Sequence, residues 1–153
     1  KVRLVARITA DFFLRYADLL ANRFDGSFQR GIIFLAIVQA NIEHIGHLTE
    51  DSLRYADLTS VPPDDLRRPA PINAIAASLN LPYETVRRHV HALIDSGQCQ
   101  QISGKGVIIP SRVLEDESYL RTLGRIHEHL KSMFSILRAA GIDLDDEAST
   151  AAN

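Results

Sequence analysis

Apolar residues Ile8, Phe12, Tyr16, Leu19, Leu20 and Phe24 recur at three- and four-residue steps between Leu4 and Phe24. That is the stripe of an amphipathic helix, and Asp25-Gly26 predicts its end. A second helix is predicted from about Ser27 to His44. Its centre, Ile32-Ile33-Phe34-Leu35-Ala36-Ile37-Val38, is apolar around the whole circumference and has to be covered on every side. A small monomer rarely offers that much surface, so the pattern predicts a subunit interface involving the first two helices. Between His47 and Pro69 the periodicity fades. Pro62-Pro63, Asp64-Asp65 and Arg67-Arg68 mark a connecting segment with room for a turn or two of helix. A last helix is predicted from about Glu117 to Ala140, with Leu120, Leu123, Ile126, Leu130, Phe134 and Leu137 on one stripe and Gly141 as its stop. That stripe needs a partner, either the N-terminal helices of the same chain or the same helix of a second copy.

The densest local signals lie between Pro71 and Pro110. Pro71 suits the first position of a helix, where its missing N–H costs nothing, and Ile72, Ile75, Ala76 and Leu79 form that helix's buried face. Asn80 tolerates the left-handed conformation of a sharp turn, and Leu81 plugs the corner. Pro82 opens the next helix, Val86, Val90, Leu93 and Ile94 are its buried face, and Gly97 is its stop. Gln98 to Ile102 and Lys105 to Ile109 can then pair as two short strands around Ser103-Gly104. The run Ile75-Ala76-Ala77-Ser78-Leu79-Asn80-Leu81-Pro82-Tyr83-Glu84-Thr85-Val86-Arg87-Arg88-His89-Val90 resembles the paired helices of the bacterial winged helix-turn-helix regulators, as in the MarR, GntR and Lrp groups. Leu93, Asp95, Gly97 and the exit run Val107-Ile108-Ile109-Pro110 continue the likeness.

The resemblance covers about 40 of 153 residues. It implies a mainly α fold, a winged helix-turn-helix with flanking N- and C-terminal helices and a small two-stranded β wing. The segments are then 1–46 for the N-terminal helices, 47–69 for the connection, 70–112 for the winged helix-turn-helix, 113–141 for the C-terminal helix and 142–153 for a disordered acidic tail. It further implies a DNA-binding transcription regulator that acts as a homodimer on duplex DNA, its second helix, about Pro82 to Ser96, lying in the major groove. There Arg87 or Arg88 would bridge guanine O6 and N7, Glu84 would accept from cytosine N4, and Thr85 would touch phosphate. Tyr83 and His91 share the exposed rows with them. Lys105 at the wing tip would reach the backbone or minor groove, and Arg67 and Arg68 are candidates for further phosphate contacts.

Charge changes this picture in one respect. The chain carries a formal −2, which argues against nucleic acid if evenly spread, because affinity comes largely from cations that neutralise phosphates. From Leu66 to Arg112, however, Arg67, Arg68, Arg87, Arg88, Lys105 and Arg112 stand against Glu84 and Asp95, a local +4 that leaves −6 for the remainder. Four of the other acids, Asp143, Asp145, Asp146 and Glu147, lie in the tail.

Other chemistry is weaker. The six histidines fall in close pairs, His44 with His47, His89 with His91 and His127 with His129. The first pair shares a helix face, the others point apart, and no cysteine or carboxylate cluster completes a metal site. The sequence therefore predicts no metal and no cofactor, although a metal-responsive repressor stays an alternative, as does a winged-helix protein-interaction module without specific DNA binding. A small-molecule effector is left open. No phosphate loop or nucleophile elbow occurs, so no enzyme is predicted. The single Cys99 excludes an intrachain disulfide and suits a cytoplasmic setting. The apolar run Gly31 to Val38 is far shorter than the ~20 residues of a membrane span, and no signal peptide is visible. The opening at Lys1 rather than methionine reads as a piece of a longer chain. Leu-Arg-Tyr-Ala-Asp-Leu occurs at Leu14 to Leu19 and again at Leu53 to Leu58, with unlike flanks, which predicts coincidence in two surface helical turns rather than a repeat.

Overall fold

The N-terminal stripe forms helix α1 (Val2–Arg23) in the computed structural model, which describes residues 1–142. Asp25 and Gly26, both at positive φ, turn the chain back, and Ser27 caps α2 (Phe28–Ile42) by accepting from the Arg30 N–H at 3.1 Å. A Cβ on Gly31 would lie 2.9 Å from Leu20 Cβ, so only glycine lets α2 cross α1 this closely. The 3-10 turn Glu43–Ile45, helix α3 (Glu50–Arg54) and the 3-10 turn Asp64–Leu66 fill the connecting segment. The second Leu-Arg-Tyr-Ala-Asp-Leu leaves helix after Arg54 whereas the first lies inside α1. The same six residues thus take two conformations, and the second is not the helical surface turn that the sequence suggested.

Helices α4 (Ile72–Leu79) and α5 (Tyr83–Asp95) follow, each preceded by a proline that caps the helix from outside, one residue earlier than the sequence suggested. Asn80 sits between them in the left-handed region (φ 52°, ψ 43°), as its side chain implied. Strands β1 (Gln100–Ile102) and β2 (Gly106–Ile108) pair antiparallel, with Gln101 opposite Val107. Ala70 adds a further rung on the other edge of β2: Ala70 and Val107 exchange both backbone hydrogen bonds at 2.9 Å. Gly106 is what admits Ala70, since a Cβ there would lie 2.4 Å from the Ala70 carbonyl. The short α6 (Ser111–Leu114) leads into α7 (Glu117–Ala139), which returns antiparallel along α1. Lys1 Nζ donates to Gly141 O at one end and Arg23 Nη1 to Ser118 Oγ at the other.

The core gathers around α2. Ile33, Phe34, Ile37 and Val38 are buried against α1, α4, α5 and β2. The all-round apolar helix is therefore covered largely from within its own chain, and the argument for a subunit interface drawn from α2 loses its premise. The stripe of α7 finds α1, one of its two expected partners, but incompletely. Leu137 is buried, while Phe134 and Ile136 on α7 and Val2, Phe13 and Leu14 on α1 stay exposed. No helix among the described residues is long and apolar enough to cross a membrane. The acidic tail lies outside the described residues.

Candidate nucleic-acid interface

Val86, Val90 and Leu93 are fully buried and seat α5 on the core, which turns the opposite side of the helix outward. Glu84, Arg88 and His91 are exposed there, Tyr83 is 52% exposed in the first turn, and Thr85 and Arg87 are half-buried. The Ile102 carbonyl accepts from the Lys105 N–H at 3.0 Å, closing a tight turn that holds the exposed Lys105 at the hairpin tip. The structure brings this tip to the start of α5. Tyr83, Lys105 and Gln101 surround one shallow concavity of about 330 Å³ together with Ile72 and Asn73 of α4. Three elements that the sequence treats separately thus share one face.

The cations of that segment have different fates. Arg67 is a correction: its side chain is wholly covered, its Nη2 donates to Pro62 O at 2.9 Å, and its Nε stands 3.7 Å from Asp64 Oδ1. A phosphate outside the protein has no access to it. Arg112 donates to Gly97 O at 2.8 Å, just past the end of α5, where a cation suits the helix dipole. Arg87 clasps Glu84, its Nε donating to Oε2 at 2.8 Å, and this hydrogen bond holds the Glu84 carboxyl below its ordinary range. The two side chains expected to read different bases are thus engaged with each other. Arg68, Arg88 and Lys105 make no side-chain hydrogen bond among the described residues.

Arg30, which the sequence reading passed over, joins this edge of α5. Its Nε donates to His89 Nδ1 at 3.4 Å, and His89 Nε2 meets Gln29 Oε1 at 3.0 Å, so His89 packs α5 on α2. Burial, with Arg30 and Arg88 nearby, pushes the imidazole below its ordinary value and keeps the neutral ring that this geometry needs.

Behind the face, Asn41 ties the hairpin to α2. It is fully buried, donates to Arg68 O at 2.8 Å and Val107 O at 3.0 Å, and accepts from Ile109 N at 2.9 Å. Its phase was the available signal, since it follows Phe34, Ile37 and Val38 by helical steps. Arg23 pins a second junction. Its guanidinium lies 5.1 Å from the Tyr119 ring centre and 5.8 Å from that of Phe34, and burial lowers its pKa.

The histidines do not assemble. His44 sits in the 3-10 turn and His47 beyond Gly46 (φ 75°), so they share no helix face as the sequence had suggested. His127 and His129 border different clefts on α7. No group of three or more His, Cys, Asp or Glu able to hold a metal occurs among the described residues. Cys99 precedes β1 rather than lying in it and is buried, which pushes its thiol up to about 11. Comparison with protein-family models, with curated proteins and with solved structures gives no match to this chain.

Proposed function

We propose that the chain is a winged helix-turn-helix transcription regulator that binds duplex DNA as a homodimer. In this reading α5 enters the major groove and the β1–β2 hairpin rides on the adjacent backbone. The observation that carries it is the common face on which Tyr83, Lys105 and the start of α4 surround one concavity, beside the exposed Arg88 and His91. Order of elements adds support. A core helix, the Ala70 rung, two helices about a left-handed Asn80 and a two-stranded hairpin follow one another in the order that a winged helix-turn-helix requires. Arg68, Arg88 and Lys105 supply phosphate contacts. Arg87, buttressed by Glu84, offers its Nη1 edge to a base.

The α1–α7 pair is the dimer arm of this proposal. A cleft of about 420 Å³ between the two helices is bordered by Leu4, Ile8, Phe12, Met133 and the exposed Ile136, and also by Arg7, Asp11 and Arg15. A twofold axis through the arm would relate two copies of α5 and call for an inverted repeat with half-sites about one turn, ~34 Å, apart or a multiple of it.

The Arg87–Glu84 clasp is what favours the alternative, a protein-interaction module with no specific DNA affinity. Selection from a random duplex library at ~150 mM salt separates the two readings. An enriched inverted repeat supports the regulator. No enrichment, or binding that fades equally for all sequences as salt rises, refutes it.

A further inference from the structure

We infer that the acidic segment 143–147 docks into the cleft between α1 and α7 of its own chain. Leu4, Ile8, Phe12, Met133 and Ile136 give this cleft of about 420 Å³ its apolar wall, and Arg7, Asp11 and Arg15 its charged border.

Charge is the first observation that names the occupant. Consider the half of the helix pair that ends at Lys1 and Gly141. Asp11 there accepts from Arg15 at 2.9 Å, and Glu128 lies 3.6 Å from Lys131. Lys1, Arg3, Arg7 and Arg138 have no acid within ion-pair reach among the described residues. The segment that follows supplies four acids, Asp143, Asp145, Asp146 and Glu147, and so matches those four cations. Arg7 borders the cleft itself.

The second observation is where the chain leaves α7. Gly141, at φ 65°, closes the helix with the paired bonds of a Schellman turn: its N–H donates to Arg138 O and that of Ile142 to Leu137 O, both at 3.0 Å. Lys1 Nζ donates to Gly141 O at 2.9 Å. The chain therefore departs beside the first turn of α1, at the Leu4 end of the cleft.

Length and pattern agree with this start. The cleft follows α1 from Leu4 to Arg15, about 16 Å at the rise of a helix, and five extended residues at ~3.3 Å each cover the same distance. An extended strand alternates its faces, which sets Ile142 and Leu144 against Asp143 and Asp145. Leu144 then meets the apolar wall while the acids meet the cations of the rim. Each exposed ion pair adds little. Burial of Leu144, and a tether that holds the segment at millimolar effective concentration, carry the contact. Phe13, Leu14 and Phe134, exposed on the same helix pair, do not border the cleft and stay open to a second copy. The docking requires neither the dimer nor the DNA reading.

The test attaches a nitroxide to Ser149→Cys in the full chain, Cys99 being buried, and follows the loss of backbone amide signals by NMR. Loss is expected at Leu4, Ile8, Phe12 and Met133, with α4, α5 and the hairpin spared. A mixture of labelled chain with unlabelled, isotope-enriched chain should show none, because the contact lies within one molecule. Leu144→Ser combined with Asp145→Asn and Asp146→Asn should restore the signals, and so should Arg7→Glu combined with Leu144→Ser. Loss spread evenly over the surface, or unchanged in both combined variants, overturns the docking. Loss that appears in the mixture gives the segment to a second copy and overturns the intramolecular contact. Selection of a duplex, or failure to select one, leaves this result as it stands.

Discussion

Replacing Asn41 by alanine removes three hydrogen bonds from the point where α2 holds the hairpin, and the three losses are unequal. The Val107 carbonyl also accepts from Ala70 N at 2.9 Å, so it keeps a partner and loses little. The Ile109 N–H is fully buried and has Asn41 Oδ1 as its one partner among the described residues, so orphaning it costs about 1–3 kcal/mol. The Arg68 carbonyl, part-buried, adds about 0.5–1 kcal/mol, and the void left by the amide about 1 kcal/mol more. The sum is about 2.5–5 kcal/mol. At roughly 2–4 °C per kcal/mol for a domain of this size, Tm falls by about 10 °C. Thermal unfolding followed by circular dichroism measures it, with Gln39→Ala, exposed on the same helix, as the control expected to stay within about 0.5 kcal/mol of wild type. An Asn41→Ala protein that melts within ~2 °C of wild type would refute the reasoning, because the hairpin would then not hang from this amide.

Gly106→Ala places a methyl group against the Ala70 carbonyl at a positive φ (128°) and should destabilise by about 2–3 kcal/mol. Amide exchange of Ala70 and Val107 should accelerate with it, and an unchanged urea midpoint contradicts the close approach. For DNA, Lys105→Ala should weaken every duplex alike and flatten the salt slope by about one, while Arg87→Ala should relax base preference by about 1–3 kcal/mol. Arg67→Met, being buried, should leave the salt slope as it is. Equal effects of the Arg87 change on all sequences would contradict base reading. Cys99 should resist iodoacetamide in the native state, and its thiol, raised from 9.0 to about 11, sets a sign for pH. Above pH 9 the unfolded thiol ionises while the native one stays protonated, so stability falls as pH rises, by up to about 2–3 kcal/mol near pH 11. Urea titrations at low and high pH should show the fall to be shallower in Cys99→Ala; parallel curves would rule the thiol out.

Much of the scaffold was legible because its signals are local. The stripes of α1 and α7, the left-handed Asn80, the stop at Gly97 and the hairpin around Ser103-Gly104 each follow from the stereochemistry or periodicity of a few neighbouring residues. So does the outward side of α5, since Val86, Val90 and Leu93 leave one orientation. What lay beyond the sequence depends on residues far apart in it. Arg67 and Arg68 are adjacent and chemically alike in a segment without period, yet the fold buries one guanidinium beneath Pro62 and turns the other outward. Coverage of α2 was misjudged for a related reason: periodicity shows that a helix must be buried but not by what, and here α1, α4, α5 and β2 supply the surface. The Ala70 rung rests on a single residue pair, too short for any pattern to announce. The Arg87–Glu84 clasp is a choice of rotamer that a three-residue spacing permits and does not require. Periodicity and turn chemistry therefore determined which elements form and where they end. Which polar side chains are swallowed, clasped or left to meet a partner was decided only when those elements packed, because solvation belongs to the assembled surface and not to the residue.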